Sequence, residues 1–298
     1  MFVKGNTLQD LKRYLTEKLS ALYSASEIKL MSEVIVCKRL NINRSEYLSN
    51  REIRFSESDL LFFRSLVKRL LDHEPFQYVI GETEFYGLVL KTDARALIPR
   101  PETEELVDWI VKDTRQFGSG KALRLLDACS GSGCIALALQ NALPQAEVHA
   151  VEWSEDAYSL LEENSTICEL HPVLHRFDVL DAEAFQQFAD NSFTLWVSNP
   201  PYIPERDKAL MAENVLAYEP EMALFVSDDD PLLFYRALAM HAGRKLMPEG
   251  WLYFELHEEL GEALHRLMAD LGFVNIELRK DLQGKNRMLR AQKRNFTA

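Results

Sequence analysis

The stretch "VSNPPYIPE", residues 197–205, combines residue types that could do chemistry in an order that ordinary folding avoids. The apolar run "FTLWV" ends at Val197, and Ser198 and Asn199 lead directly into Pro200 and Pro201. Two successive prolines remove two backbone donors, fix two φ angles and push Asn199 and Pro200 towards extended geometry. The Asn199 amide oxygen and the Pro200 carbonyl are then two acceptors, with no N–H on Pro201 to compete. Two convergent acceptors can hold both hydrogens of a planar –NH2 group, drawing electron density towards its nitrogen and turning its face to an electrophile. Tyr202 offers a flat surface to the same planar group. Without that chemistry, the corner is a proline-rich strand terminator with a turn-favouring asparagine.

A second cluster lies upstream. "LLDACSGSGCIALAL", residues 125–139, reads as an apolar strand, an acid, a small-residue loop and a helix. Gly131 and Gly133 would let the backbone approach a ligand closely at a helix N-terminus. A plain tight strand-to-helix turn has the same pattern. The third glycine of the dinucleotide fingerprint is replaced by Ala136, and no Gly-Lys-Ser/Thr follows as in a P-loop. What remains suits a nucleoside carrying little phosphate, with Asp127, Cys129, Ser130, Gly131, Ser132 and Gly133 on the cofactor side.

About twenty residues further on, the next strand ends in Glu152, where a carboxylate can accept from both ribose hydroxyls. As plain structure, Glu152 is a strand-end acid ahead of a helix capped by Ser154. Asp178, closing the third strand with Val179 beside it, is a candidate partner for an adenine amino group. Trp153 is a candidate neighbour for the adenine ring. His171 and His175 are interrupted by Pro172 and form no ligand arrangement, so no metal is expected. Glu255 and His257, in "FELHEEL", read as strand-end packing.

These residues need a scaffold. From Ala122 the pattern alternates strand and helix, implying a largely parallel sheet covered on both faces. In such sheets ligands sit beyond the carboxyl ends of the strands, which puts Asn199 beside the nucleoside pocket. The tail, with "FVNIELR" and "NRMLRAQ" close together, predicts a two-stranded antiparallel edge. Upstream, "TEFYGLVL" followed by "ARALIP" predicts a hairpin, and "RPETEELVDWIVKD" a helix with proline and acids in its first turn.

The first 75 residues read as short helices. Starts are marked by Thr7/Asp10, Ser24/Glu27, Asn43/Glu46 and Ser56/Asp59, where a side chain caps the first turn and an acid favours the dipole. The expected division is therefore a helical domain over 1–75, a linker with a hairpin over 76–104, and a nucleoside-binding α/β domain over 105–298.

Composition narrows the classes. A chain of 298 residues, 47% hydrophobic and 27% charged, is long enough for more than one core. No apolar run reaches the roughly 20 residues that cross a bilayer, and the start lacks a secretory pattern. Four sparse cysteines suggest a reducing, cytoplasmic setting. The net charge of -12 argues against a nucleic-acid backbone as main partner. Residues 1–75 hold about thirteen Lys and Arg against ten Asp and Glu, so the excess acid lies in the rest, a hint of two units with different partners.

"NPPY" together with "DACSGSG" resembles the amino-group methyltransferases that use S-adenosylmethionine and leave S-adenosylhomocysteine. Within them, "EPFQYVIGETEFYGL", "LIPRPETEELV", "VSNPPYIPERD" and "YEPEMALFVSDDDPLLFYRAL" are similar to the release factor glutamine methyltransferases, over essentially the whole chain. The resemblance implies a Rossmann-like class I methyltransferase domain, a mostly parallel seven-stranded sheet, behind a small all-helical N-terminal domain. It implies methyl transfer to the glutamine of the Gly-Gly-Gln loop of peptide chain release factors, by a monomer with no direct nucleic-acid substrate. Asn199, Pro200 and Tyr202 would then be catalytic. Arg100, Glu102 and Thr103, which also read as helix-start residues, would close the pocket with Pro201. The family usually has glycine where Cys129 stands, and a small cysteine is expected to fit there with φ below zero. A ribosomal-protein glutamine methyltransferase, a DNA adenine or cytosine methyltransferase and a non-catalytic cofactor-binding module are the alternatives.

Overall fold

The structure is a computed structural model that describes residues 5–50, 52–116 and 122–295. The chain divides into two compact units, Met1–Gly81 with Ala212–Tyr218, and Glu82–Met211 with Glu219–Ala298.

The first unit is helical: α1 (Leu8–Leu19), α2 (Ala25–Leu40), α3 (Arg44–Ser49), α4 (Glu57–Leu71) and α5 (Phe76–Ile80), with α9 (Glu213–Tyr218) from later in the chain. Each of α1 to α4 begins with a full capping box, at Thr7/Asp10, Ser24/Glu27, Asn43/Glu46 and Ser56/Asp59, as the residue types require. Their apolar faces meet in one core around Leu11, Leu15, Leu19, Ile35, Val36, Phe63 and Leu70. The unit extends past residue 75 because α5 is tied to it. Lys38 Nζ donates to the Ile80 carbonyl at 2.8 Å, and the Arg69 guanidinium donates to the carbonyls of Tyr78 and Val79. In α9, the Tyr218 hydroxyl donates to the Asp72 carbonyl at 2.6 Å.

The second unit opens with a hairpin, β1 (Glu82–Phe85) and β2 (Leu88–Lys91), which corrects one expectation. Both strands lie inside "ETEFYGLVLK", and "ARALIP" is irregular chain rather than a strand. Tyr86 and Gly87 both take positive φ (46° and 81°), the two-residue turn whose twist suits paired strands, so the chain reverses earlier than the alternation suggests.

The elements after it are α6 (Pro101–Gln116), β3 (Arg124–Ala128), α7 (Cys134–Ala142), β4 (Glu147–Glu152), α8 (Glu155–Ile167), β5 (Val173–Arg176) and β6 (Phe193–Ser198). A two-residue pair, β7 (Ile203–Pro204) and β8 (Phe225–Val226), precedes α10 (Leu233–Lys245), β9 (Leu246–Glu255), α11 (Gly261–Asp270), β10 (Val274–Lys280) and β11 (Asn286–Gln292). The main sheet has seven strands in the order β10-β11-β9-β6-β3-β4-β5. Its pairings are parallel from β9 to β5, while β11 runs antiparallel between β9 and β10.

Alternate residues of the central strands feed two cores. Leu125, Val148, Val197 and Tyr253 face α6 and α7, whereas Leu126, Val151, Trp196 and Phe254 face α10 and α11. This is a Rossmann-like architecture, a mostly parallel sheet between two helical layers. No helix among the described residues is long and apolar enough to cross a membrane.

Candidate active site

The loop leaving β3 is built by short-range bonds. Asp127 is fully buried, and its Oδ2 accepts the Ala136 N–H at 3.1 Å, tying the strand to the first turn of α7. Burial pushes its carboxyl up to about 8, with the neighbouring Glu152 adding to the shift. The Ser130 N–H donates to the Val151 carbonyl at 3.0 Å, and the Ser130 hydroxyl donates to the Asp127 carbonyl at 2.9 Å.

Cys129, Gly131 and Gly133 all take positive φ, 60°, 55° and 83°. Cys129 therefore departs from the negative φ expected of it: the turn from β3 into the loop demands a left-handed residue, whatever its side chain. The two glycines serve different needs. A Cβ on Gly133 would lie 2.1 Å from Leu161 Cδ1, whereas a Cβ on Gly131 would meet nothing within 4 Å. Gly133 is thus required by packing on α8, and Gly131 leaves open space.

Glu152 ends β4 and is clamped by backbone donors. Its Oε1 accepts the N–H groups of Trp153 and Ser154, and its Oε2 that of Gly131, each at 2.8 Å. Burial raises its pKa and these three bonds oppose the rise. Of roughly four acceptor directions on a carboxylate, about one is left for a ligand in this arrangement.

A cavity opens over these residues. Cys129, Ser130, Gly131, Ser132, Glu152 and the exposed Trp153 line one part. Asp178 and Val179 line another, with Asp178 Oδ1 held by the Leu180 N–H at 2.8 Å. Asn199, Pro201, Arg100 and Thr103 complete the expected set. Asp127, Gly133, Pro200, Tyr202 and Glu102 are not among the lining residues. Glu102 instead accepts from Gln283 Nε2 at 3.4 Å.

Unforeseen in the sequence is the wall made by residues 95–99, the chain expected to form a strand. The buried Glu219 holds it, with Oε2 accepting the Ile98 N–H at 3.1 Å and Oε1 paired to Arg100 at 2.5 Å.

The corner is set by register. β6 and β9 run parallel with Ser198 opposite Phe254, so Asn199 and Glu255 lie one step further along neighbouring strands. Thr103, buried in the first turn of α6, joins them. Its hydroxyl donates to Glu255 Oε2 at 2.6 Å and accepts from Asn199 Nδ2 at 3.4 Å. The Tyr202 hydroxyl donates to Glu255 Oε1 at 3.0 Å, and that of Tyr235 donates to the Glu255 carbonyl at 3.0 Å. Glu255 is thus a bonded member of the corner rather than strand-end packing. One signal for it exists in the chain: like Glu152, it is the acid that closes an apolar strand run.

The site suits a nucleoside-bearing ligand on its own features. Open space lies over Gly131, and Ser132 Oγ, on the cavity wall, is buried without a hydrogen-bond partner. Among the described residues, no group of three or more His, Cys, Asp or Glu is placed to hold a metal ion.

Comparison with known proteins finds two family models along the chain. The family model described as the PrmC N-terminal domain matches residues 10–81, and that described as the methyltransferase small domain matches residues 110–224. A release factor glutamine methyltransferase of Flavobacterium psychrophilum is 36% identical over 283 residues, covering 94% of this chain and 98% of its own length. One from Bacteroides thetaiotaomicron is 38% identical over 280 residues, with the same coverage of 94% and 98%. Among solved structures, a methyltransferase from Pyrococcus furiosus superposes with a TM-score of 0.52 at 16% identity. That match covers 76% of this chain and 98% of the other, and it speaks to the fold alone.

Proposed function

From its place in the release factor glutamine methyltransferase family, to which this chain belongs, we propose that the protein methylates the side-chain amide nitrogen of the glutamine in the Gly-Gly-Gln motif of peptide chain release factors. The observation that carries this reading is the Asn199 corner at the cavity wall, with its amide nitrogen already turned to Thr103. A glutamine amide is a poor nucleophile, because its lone pair is delocalised into the carbonyl. The Asn199 oxygen and the Pro200 carbonyl accept its two hydrogens, which favours charge development on nitrogen and fixes the approach. Tyr202, held through its hydroxyl by Glu255, keeps that corner in place.

On the cofactor side, Ser130, Gly131, Ser132, Glu152, Asp178 and Val179 hold S-adenosylmethionine, with Asp127 and Gly133 shaping the loop beneath. Bound there, S-adenosylmethionine supplies a methyl group on a sulfonium, already electrophilic. Arg100, Thr103 and Pro201 help close the pocket, with Glu102 at the same helix start. Orientation of this kind accounts for up to about 7–11 kcal/mol of a barrier. The proton leaves to water after transfer. The first unit docks the release factor, a role suggested by its separate core and its more basic composition. The enzyme acts as a cytoplasmic monomer.

The test is methyl transfer from labelled donor, with a release factor, a ribosomal protein and DNA offered together. Label on the release factor, at the glutamine, is the expected result; label on DNA alone, or on nothing, overturns the reading. Asn199→Ala should lower turnover by roughly 10²–10³ while S-adenosylhomocysteine still binds, the size of effect seen for one lost oxyanion-hole donor.

A further inference from the structure

We infer that Glu255 is a positioning residue that, through Thr103, decides which way round the Asn199 amide stands, so that oxygen rather than nitrogen is offered to the substrate. The inference rests on the proposed role of Asn199 and extends it to the group that sets that role. An asparagine amide has two ends of nearly equal size and opposite polarity, and sterics alone do not choose between them. If it turned round, the corner would set the Asn199 N–H groups beside the Pro200 carbonyl and lose one of the two acceptors that a substrate –NH2 group needs.

The choice is made by counting protons. Glu255 ends β9 with its side chain buried; burial raises its pKa, while the hydroxyls of Thr103 and Tyr202 and the nearby Arg287 charge oppose the rise and favour the carboxylate, which only accepts. Thr103 has a single hydroxyl proton, and Oγ1 lies 2.6 Å from Glu255 Oε2, so that proton is committed to the carboxylate. Towards Asn199 the hydroxyl therefore shows lone pairs alone. Only Nδ2 can meet it favourably, and Nδ2 is the atom found at 3.4 Å. The reversed amide would set oxygen against oxygen in a buried site. With nitrogen engaged at Thr103, the amide oxygen remains for the cavity that Asn199 lines. The second carboxylate oxygen takes the Tyr202 hydroxyl at 3.0 Å, so the same group also anchors the far side of the Pro-Pro corner.

The relay makes a prediction that plain structural support does not. In Glu255→Met the Thr103 proton is released and can donate to Asn199, which favours the reversed amide. In Thr103→Val neither orientation is preferred. Full-length variants are assayed for methyl transfer to a release factor, with S-adenosylhomocysteine affinity measured by calorimetry. Glu255→Met should lose about 10²-fold in kcat. Thr103→Val should lose no more than about tenfold, and the double variant should recover to the Thr103→Val level, a strong non-additivity. S-adenosylhomocysteine affinity should stay within about threefold throughout.

Losses that simply add in the double variant, or an unchanged kcat in Glu255→Met, overturn the inference. Should Glu255→Met not fold, the comparison of Thr103→Ser with Thr103→Val decides. Serine should restore most of the kcat lost by valine, and equal kcat in the two overturns the relay. Wild-type enzyme that leaves the release factor unlabelled overturns the functional reading and this inference together, whereas active wild type with additive variants removes the relay alone.

Discussion

Asp127 shows how burial and function pull apart at a single residue. It never reaches the cavity, yet it holds the cofactor loop to α7 through Ala136 and is buried as a carboxyl with one oxygen unpartnered. Its folded pKa, near 8, lies above the ordinary 3.8. Between those values the unfolded chain has released the proton and the folded chain still holds it, so this residue's contribution to stability falls as pH rises from about 4 to about 8. Asp127→Asn removes that dependence while keeping an acceptor for Ala136. The stability difference, variant minus wild type, should grow in the variant's favour by up to about 1.4 kcal/mol per pH unit across that window and then level off. Urea unfolding at a series of pH values measures it, and a constant difference would remove the assignment. Glu255 is raised by burial as well, but its two hydroxyl donors show that a buried acid can be fully engaged.

Among the elements, the β3–α7 loop is the one whose backbone departs from expectation. Cys129 at φ 60° sits where an L side chain costs about 1–2 kcal/mol, although its side chain packs against the core on one face of the sheet. Cys129→Gly trades that strain for lost packing and for a more flexible unfolded chain, worth about 0.5–1 kcal/mol. The net change should stay within about 1 kcal/mol, with S-adenosylhomocysteine affinity preserved. Cys129→Val, β-branched at positive φ, should destabilise by about 2 kcal/mol or more. Denaturant midpoints of the two variants test the pair, and a valine variant as stable as the glycine one would contradict the left-handed assignment. Elsewhere, element identity follows from local chemistry. The four capping boxes form where Ser, Thr or Asn precedes an acid by three residues. The misplaced hairpin arose because alternation marks strands but not where they turn; Tyr86 and Gly87 do that.

For the whole molecule, every residue lining the cavity belongs to the second unit, while the first has its own core and includes α9. A chain lacking residues 1–81 should therefore bind S-adenosylhomocysteine with affinity near that of the intact protein and lose most methylation of an intact release factor. Equal labelling of the intact factor by both chains would reject the docking role.

The amino-acid sequence alone was enough for the strand–helix alternation, the helix starts, the small-residue loop after β3 and the asparagine–proline corner after β6, because periodicity, capping and proline geometry act within a few residues. Only the tertiary structure decided that Glu255 and Thr103, 152 positions apart, share a hydrogen bond beside Asn199, that Glu219 props the wall at Ile98 and Arg100, and that Cys129 is left-handed. The first comes from the register of β6 on β9 with α6 laid beside it, and the second from contact between segments 121 positions apart, long-range pairings that no local pattern encodes.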